Sequence, residues 1–404
     1  MIVKKSKPND FQRRKILWID FLVLDIHLHG TSFLEILKHL VKRGYDAVLV
    51  AVRSKSVFQT ENPQVRIISV PLRYIPMISP VMFAVMLFFF LPFYVALSKP
   101  DFVITEPNIS IIGFMSVLPF SKFKRTKFVL DVRSTPVETV GFRGFLQAFW
   151  FSVSVVTAKK LFDGITIITP QMKEEVCKRF RINPNLVGVW SSGVSTALFN
   201  PENRVAESKE LRRRLGLSEK FVVFYHGVFS ANRGLIETID AMKILKGAYP
   251  NMVLFLLGTG PIAHMLKELI QKERLQDNII IHDPVGYVEV PKYISISDVC
   301  IVPLPNHPYW RFQCPLKLLE HLAMKKVVIA TNIPAHRSVI GREKCGIYIS
   351  SIEPAEIAKA IAYTYENREK LAEWGASGRT IIEEKYRWEK VAENLESYML
   401  SIED

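Results

Sequence analysis

Three short segments in the second half of the chain place phosphate-binding or hydroxyl-binding side chains beside glycine or proline. In HGVFSANRGL, Gly227 follows an apolar run, and Arg233 and Gly234 precede a helical pattern. Glycine lets a backbone approach a ligand closely, a helix N-terminus offers free N–H groups to a phosphate, and arginine adds a charged fork of donors. An ordinary turn has the same composition, so both interpretations stay open. Gly258, in the loop GTGP, is a weaker candidate of the same kind.

The third segment, CPLKLLEHLA, supplies a second cation and a carboxylate. Pro315 fits the first position of a helix, which places Leu316 and Lys317 in the first turn and Glu320 further along. Lys317 could then neutralise phosphate oxygens beside the helix N-terminus, while Glu320 accepts hydrogen bonds from the vicinal hydroxyls of a ribose. The alternative is a solvated surface lysine and one half of a surface ion pair.

The elements that must position these residues alternate between short β-branched runs and helical patterns. In the first half the strand-like runs are KILWIDFLVL, DAVLVAV, DFVITE, KFVLDV and GITIIT. After a polar, charged stretch the same alternation restarts with KFVVFYHG, MVLFLLGTGP, NIIIHD, DVCIVPL and KVVIAT. The pattern predicts an α/β protein with two Rossmann-like, doubly wound domains. We place the domains at residues 1–198 and 199–380, with a last helix in 381–404 that returns to the first domain.

Composition limits the class of protein. At 404 residues, with 49% hydrophobic and 23% charged residues, the chain is neither disordered nor fibrous. The four cysteines are far apart in the sequence, which disfavours a zinc module or a disulfide framework. The first apolar run contains Asp20 and Asp25, which a signal peptide would not tolerate. We therefore expect a cytoplasmic protein.

The positive charge lies almost entirely in the first half. Residues 1–200 hold 26 basic and 13 acidic side chains, whereas residues 201–404 hold 27 and 26. No zinc-finger spacing, RNP sequence or GXXG loop accompanies this charge, so we expect no nucleic-acid partner. An anionic membrane surface is the alternative target, since each basic residue near the headgroups contributes about 1 kcal/mol.

Two uncharged runs in the same half favour the membrane. Residues 74–98 contain no charged residue, but Pro76, Pro80 and Pro92 are expected to break the run into segments shorter than a bilayer span. A membrane span, a surface-lying segment and a buried helix all stay open. The second run, residues 144–158, has the aromatic and basic ends of an interfacial helix.

Together these segments resemble the retaining nucleotide-sugar glycosyltransferases of family 4, the glycogen-synthase-like enzymes. The opening DIHLHGTSFLEILKHLVKRGYDAVLV is similar to the family's strand, glycine loop and helix, and Arg233-Gly234 to the start of its second domain. PLKLLEHLAMKKVVIAT resembles the donor-site helix of the branch with Pro-x-Lys-x-x-Glu. The resemblance covers nearly the whole chain and implies the GT-B fold, in which two Rossmann-like domains face each other across the active-site cleft.

The resemblance also implies roles for particular residues at the donor. Arg233 and Lys317 would bind the diphosphate with help from the backbone N–H groups of Cys314 and Leu316, on either side of Pro315, and Glu320 would hold the ribose. Gly30 and Thr31 occupy the family's first-domain loop that closes over the donor phosphates. No metal or other cofactor is expected, because these cations and the helix end stabilise the leaving diphosphate, and the nucleotide sugar is itself a substrate.

The chain departs from the family pattern at one donor position, and its acceptor side is harder to interpret. Phe312 stands where the family usually has a first glutamate, which puts direct carboxylate assistance in doubt. Asp131 is the candidate base for the acceptor hydroxyl, with a helix cap or an ion pair to Arg133 as structural alternatives. Arg133 is also an acceptor candidate, as are His27 and His29, which precede the Gly30 loop.

The leading hypothesis is a membrane-associated transferase, peripheral to the inner face of the membrane, that moves a sugar from a nucleotide donor to a lipid-linked or surface-polysaccharide acceptor. The alternatives are a soluble transferase acting on a small or phosphorylated acceptor and a non-catalytic nucleotide-sugar-binding protein. A dinucleotide-dependent dehydrogenase is disfavoured, because LDIHLHGTSF lacks the GxGxxG triplet.

Overall fold

The computed structural model describes residues 13–23, 30–52, 65–75, 77–117, 125–136 and 141–403. The chain divides into two compact units. The first comprises Met1–Ile167, Lys173–Trp190 and Ala392–Asp404, and the second comprises Ile168–Met172 and Ser191–Val391. Between the two units the main division of the chain falls after Trp190, whereas the sequence placed the boundary at residue 198.

The first unit is built on a seven-stranded sheet in the order β3-β2-β1-β4-β5-β6-β7, and every neighbouring pair is parallel. This is the doubly wound order, with its crossover point between β1 and β4. Its strands read as continuous apolar runs, because a parallel sheet covered on both faces buries nearly every residue. The strands are β1 (Lys15–Val23), β2 (Asp46–Val52), β3 (Arg66–Val70), β4 (Phe102–Thr105), β5 (Lys127–Val132), β6 (Gly164–Ile167) and β7 (Val187–Val189).

The second unit repeats the design with six parallel strands in the order β10-β9-β8-β11-β12-β13. The predicted fold class of two Rossmann-like domains is confirmed. The strands are β8 (Phe221–His226), β9 (Met252–Leu257), β10 (Ile279–His282), β11 (Val299–Val302), β12 (Val327–Thr331) and β13 (Gly346–Ile349). The sequence analysis missed three edge strands, β3, β7 and β13, because they are short or only partly buried.

Helices cover the faces of both sheets. The first unit has the α-helices Gly30–Lys42, Ile78–Ser98, Ile111–Phe114 and Gly141–Leu161, and Pro170–Phe180 follows β6. In the second unit the α-helices are Val205–Arg214, Leu235–Leu245, Ala263–Lys272, Val290–Ser295, Pro308–Arg311, Leu316–Ala323, Pro334–Ile340, Pro354–Glu366 and Leu371–Ile381. The chain closes with a π-helical turn, Ile382–Tyr386, and the α-helix Trp388–Ser401.

The helix Ile78–Ser98, called the apolar helix below, corrects the expected effect of Pro80 and Pro92, whereas Pro76 lies outside the described residues. It is continuous over 21 residues, with Pro80 in its first turn and Pro92 inside it. A proline in the first turn removes only an N–H that has no helical partner, so Pro80 fits without cost there. The apolar helix is also the one helix within the described ranges that is long and apolar enough to cross a membrane.

The last helix returns to the first unit through Tyr398. Its hydroxyl donates to the carbonyl of Leu186 at 2.7 Å and accepts from the backbone N–H of Ile165 at 2.9 Å. Gly164 and Gly188 make room for the ring, since a Cβ at either position would overlap it. Gly164, at the start of β6, and Gly188, in the middle of β7, thereby form the seat of the closing helix.

We expect Tyr398→Phe to lower the free energy of unfolding of the first unit by about 1–2 kcal/mol, because both hydrogen bonds of the hydroxyl are lost. Denaturant unfolding with and without the substitution measures the difference. Tyr363→Phe, at a 46% exposed tyrosine on another helix, is the matched control and should change little. Equal effects of the two substitutions would contradict the assignment.

Candidate functional site

The helix Leu316–Ala323, called the donor helix below, carries the densest group of predicted site residues. Pro315 precedes it as the N-cap in an extended conformation, so the helix begins one residue later than the sequence predicted. Every residue from Lys317 to Ala323 is buried. Lys317 is 8% exposed and Glu320 4% exposed, which rules out the interpretation of a solvated lysine and a surface ion pair.

The ammonium group of Lys317 lies against the backbone of Gly227 and the ring of Tyr225. A Cβ at position 227 would be 2.9 Å from Lys317 Nζ, and Nζ is 3.9 Å from the centroid of the Tyr225 ring. Among the described residues, this buried nitrogen has no hydrogen-bond partner. Burial holds the pKa of Lys317 well below its usual range, and Arg233 lowers it further, while Glu320 opposes them. A buried cation without an anion is costly, which suits it to bind one.

Arg233 approaches the same tyrosine from the turn Ala231–Arg233. Its Nε donates to Ser230 Oγ at 3.2 Å, and its guanidinium carbon is 4.9 Å from the centroid of the Trp310 ring. Burial raises the pKa of Tyr225 to about 12, and the charge of Arg233 and a side-chain hydrogen bond from it oppose that rise. The structure therefore brings Arg233 and Lys317 together around Tyr225.

Glycine loops at the ends of β8 and β9 pack backbone against backbone. Gly227 and Gly258 have φ values of +127° and +148°, and a Cβ on Gly258 would overlap the carbonyl oxygen of Gly227. Gly227 N–H also donates to the carbonyl of Leu257 at 2.9 Å. In this structure Gly258 supports the Gly227 loop, and Gly227 in turn leaves the space that Lys317 Nζ occupies.

Glu320 belongs to a hydrogen-bonded chain that the sequence analysis missed. Glu320 Oε2 lies 2.8 Å from His226 Nε2, and His226 Nδ1 lies 3.0 Å from His321 Nε2. Burial lowers the pKa of His321 well below its usual range, and the charges of His226 and Lys317 add to this effect. His226 ends β8 directly before Gly227. A polar residue at the carboxyl end of a parallel strand was the available signal.

The segment before the donor helix contains the other donor-side predictions. Cys314 is buried, and Leu316 is the first residue of the helix. The backbone carbonyl of Phe312 accepts a hydrogen bond from Thr169 Oγ1 at 2.8 Å. The Phe312 side chain is partly buried and offers no carboxylate at this position.

In the first unit Asp131 is enclosed. It is fully buried within β5, and its Oδ1 accepts hydrogen bonds from Thr166 Oγ1 at 2.7 Å and from Trp190 Nε1 at 2.9 Å. Arg133 stacks on Trp190 at 3.6 Å from the ring centroid and donates to the Trp190 carbonyl. The predicted helix cap is wrong, because Asp131 lies in a strand. Its burial also removes it from direct contact with an acceptor in this conformation.

Asp131 has two acidic neighbours that the sequence analysis did not select as site residues. The register pairs Ile19 with Thr105 and Thr105 with Leu130, so the next residues, Asp20, Glu106 and Asp131, form a row across β1, β4 and β5. Burial raises the pKa of Asp20 to about 7, and burial followed by the charge of Asp20 raises that of Glu106 well above its usual range. Burial likewise raises the pKa of Asp131, against the opposing charge of Arg133.

The remaining predicted residues lie at the start of the helix Gly30–Lys42. Gly30 is its first residue, and the side chain of Thr31 falls outside the described part of the structure. His27 and His29 lie wholly outside the described residues. Within the described ranges, no group of three or more His, Cys, Asp or Glu residues is arranged to hold a metal ion.

Comparison with known proteins decides the family. Residues 207–381 match the model for glycosyl transferases group 1, and residues 29–198 match the model for glycosyltransferase family 4. The chain belongs to the GT-B glycosyltransferases of the family 4 type. The predicted resemblance is thereby confirmed.

Relatives of this GT-B chain are distant. It is 24% identical over 209 residues to the GDP-mannose-dependent alpha-(1-6)-phosphatidylinositol monomannoside mannosyltransferase of Mycobacterium tuberculosis, covering 51% of this chain and 54% of that protein. Matches to the curated relatives span about half of those proteins' length. Sucrose-phosphate synthase from Thermosynechococcus elongatus superposes with a TM-score of 0.76 at 18% identity, over 95% of this chain and 98% of that one. HepE of Anabaena, solved with UDP, superposes with a TM-score of 0.75 at 15% identity, over 96% of this chain and 100% of that one.

We expect Lys317→Met to stabilise the nucleotide-free protein by about 1–3 kcal/mol, because it replaces an unpaired buried cation by an apolar chain of similar length. The wild-type stability should also rise with pH between the lowered pKa of Lys317 and 10.5, because the unfolded chain holds that proton more tightly. The variant should lack this increase. Denaturant unfolding across that pH interval measures both effects.

The matched control for this prediction is Lys267→Met, at an exposed lysine on the helix Ala263–Lys272. It should change neither the free energy of unfolding nor its pH dependence. A Lys317→Met variant that is less stable than the wild type would mean that the ammonium group already has a stabilising partner.

Proposed function

We propose that the protein is a retaining glycosyltransferase that binds the diphosphate of a nucleotide sugar at Lys317 and Arg233. One observation supports this most directly: the ammonium group of Lys317 is buried, unpartnered within the described structure, and lies against the bare backbone of Gly227. Arg233, which shares Tyr225 with Lys317, adds a planar fork that suits phosphate oxygens. Two cations around one tyrosine ring can hold one pyrophosphate.

The proposed chemistry depends on stabilising the leaving group. As the bond between the sugar and the diphosphate breaks, negative charge grows on the departing phosphate oxygens. Donors that are already oriented toward those oxygens lower the barrier, typically by several kcal/mol in all. Lys317 and Arg233 supply charge, and the N-terminus of the donor helix, with the backbone amides of Cys314 and Leu316, supplies further N–H groups.

Glu320 is proposed to accept hydrogen bonds from the ribose hydroxyls, one helical turn from Lys317. Phe312 provides no carboxylate for the sugar, so in this proposal the cations carry the electrostatic work at the diphosphate. We propose that no metal ion is required, because the two cationic side chains and the helix end neutralise the charge that a divalent cation would otherwise meet. This proposal leaves the base for the acceptor hydroxyl unassigned.

The catalytic proposal is tested with UDP-, GDP- and ADP-sugars, measuring donor turnover and the anomeric configuration of the product by NMR. We expect turnover with one nucleotide class, a retained anomer and no loss of activity in EDTA. Lys317→Ala and Arg233→Ala should each lower kcat/KM by about 10²–10³-fold. Lys267→Ala is the control cation. Donor binding without any turnover would instead favour the non-catalytic nucleotide-sugar-binding protein.

We further propose that the first unit docks on an anionic membrane and that the acceptor is a lipid-linked or surface glycan. The apolar helix packs against the sheet through one face only, formed by residues four apart: Phe83, Leu87, Leu91 and Val95. Its other side is apolar and open, with Phe89 66%, Phe93 71% and Leu97 85% exposed. Exposed apolar patches of this kind mark contacts with membranes or proteins.

A second helix extends this surface. The helix Gly141–Leu161 exposes Phe142, Phe145 and Phe149. The short helix Ile111–Phe114 contacts the apolar helix through Gly113 and Leu87, and its Phe114 ring lies 5.8 Å from the ring of Phe162, just after Gly141–Leu161. The apolar helix and the residue that follows Gly141–Leu161 therefore both contact the same short helix in the first unit.

Basic residues border both of these helices. Arg73 and Lys99 are exposed at the two ends of the apolar helix, and Lys159 and Lys160 are exposed at the end of Gly141–Leu161. Amphipathic anchors combine such charges with buried aromatic rings at the headgroup boundary. The mycobacterial relative, whose name specifies a phosphatidylinositol-based acceptor, supports a lipid acceptor for this chain. The soluble alternative would leave this apolar surface without an occupant.

Flotation with vesicles that mix phosphatidylcholine and phosphatidylglycerol tests the membrane proposal. The wild type should float at low salt, and Phe89→Glu/Phe93→Glu should remain in the soluble fraction, because burying each ring contributes about 2–3 kcal/mol. Val205→Glu/Ile244→Glu, at two 56% exposed apolar residues of the second unit, is the matched control and should float. If the wild type fails to float, the soluble transferase becomes the better hypothesis.

A further inference from the structure

A chain of two hydrogen bonds connects Glu320 to His226 and His321. Glu320 Oε2 contacts His226 Nε2, and His226 Nδ1 contacts His321 Nε2, at 2.8 and 3.0 Å. The two imidazole rings meet edge to face, with centroids 4.9 Å apart. His226 comes from the end of β8 and His321 from the donor helix, so the chain joins a strand to the helix that carries Lys317.

The surroundings of His321 determine which ring nitrogens carry the protons in this chain of hydrogen bonds. This side chain is fully buried, and its pKa is lowered by burial and then by the charges of His226, Lys317 and Lys326. His321 is therefore neutral and has a single N–H. A proton on Nδ1 would leave that donor buried and unpaired, since Nδ1 has no partner among the described residues.

The proton of His321 therefore lies on Nε2 and is donated to His226 Nδ1. With Nδ1 accepting, the ring proton of His226 is on Nε2 and is donated to Glu320 Oε2. Both hydrogen bonds therefore run in the same direction. His321 donates to His226, and His226 donates to the carboxylate of Glu320. Glu320 Oε1 does not take part in this chain.

We propose that His226 and His321 are positioning residues that fix the Glu320 carboxylate for recognition of the ribose hydroxyls. This inference rests on the donor site proposed above. A glutamate side chain has several rotatable bonds, and ordering it at the moment of binding would cost affinity. The histidine chain orders it beforehand, leaving Oε1 and the remaining lone pairs of Oε2 for two vicinal hydroxyls.

Recognition of a hydroxyl by a prearranged acceptor has a measurable signature. A site built to bind an OH group rejects the analogue that lacks it, because the acceptor is then left unpaired. Nucleoside diphosphates should therefore bind more tightly than their 2′-deoxy counterparts. If His226 positions Glu320, removing His226 should reduce this discrimination as well as the overall affinity.

The experiment titrates UDP, GDP and ADP and their 2′-deoxy forms into the wild type and into His226→Ala, His226→Gln and His282→Ala by calorimetry. For the ribonucleotide that the wild type binds best, we expect His226→Ala to weaken binding about tenfold and to bring the affinities of the ribo and deoxy forms together. His226→Gln keeps a donor near the Nε2 position and should restore both the affinity and the preference for the ribo form. His282→Ala is the matched control, because His282 ends the nearby strand β10 but bonds Tyr293.

A double-mutant cycle with Glu320→Gln shows whether His226 acts through Glu320. In the Glu320→Gln background, His226→Ala should have almost no further effect on affinity, since the carboxylate that it positions is gone. Additive losses, or equal weakening of the ribo and deoxy forms by His226→Ala, would overturn the inference and leave the donor site standing. If the wild type binds none of the three nucleotides, the proposed donor site fails, and the inference fails with it.

Discussion

The second unit is organised around a positive charge that the fold buries without an anion. Removing an ammonium group from water is among the more expensive operations in folding, and the structure offsets it only in part. Tyr225 presents the face of its ring to Lys317, and Glu320 lies one helical turn away. In the proposed function, the remaining imbalance is binding energy that a diphosphate would recover. Affinity for the proposed donor and stability of the empty protein would then be opposed at the same atom.

Several neighbouring features follow from that requirement. Gly227 must lack a side chain because the space is occupied by Lys317 Nζ, and Gly258 must lack one because Gly227 lies against it. Arg233 is held by Ser230 and by the Trp310 ring, which keeps a second cation near the first despite their repulsion. The glycines thus leave space for the cationic groups, and the aromatic rings pack against them. In the proposed site neither type of residue would contact a phosphate through its own side chain.

The first unit instead brings acidic side chains close together in a buried environment. Asp20 within β1, Glu106 just after β4 and Asp131 near the end of β5 lie side by side, and burial raises the pKa of each. Arg133 opposes the rise at Glu106 and Asp131 while it stacks on Trp190. Burial therefore disfavours negative charge on all three carboxyl groups in this part of the sheet.

The sequence predicted the parts of this arrangement that depend on local pattern. Apolar runs located most of the strands, and glycine, arginine and the Pro-x-Lys-x-x-Glu spacing selected Gly227, Arg233, Lys317 and Glu320. Burial was not predictable, because a lysine in the first turn of a helix looks the same in sequence whether it is exposed or enclosed.

Long-range contacts were also hidden from the sequence. His226 and His321 are 95 positions apart, and only the pairing of β8 with β11 and the packing of the donor helix bring them together. The three carboxylates of the first unit come from strands whose register cannot be read from local periodicity. Pro92 was expected to end a helix that continues through it.

The seat of Tyr398 between Gly164 and Gly188 has a consequence for synthesis on the ribosome. Residues 392–404 belong to the first unit, yet they are translated after the whole of the second. While the second unit is being synthesised, Gly164 on β6 and Gly188 on β7 lack the ring of Tyr398 that covers them in the complete fold. The first unit can therefore be completed only after the residues of the second unit have been synthesised.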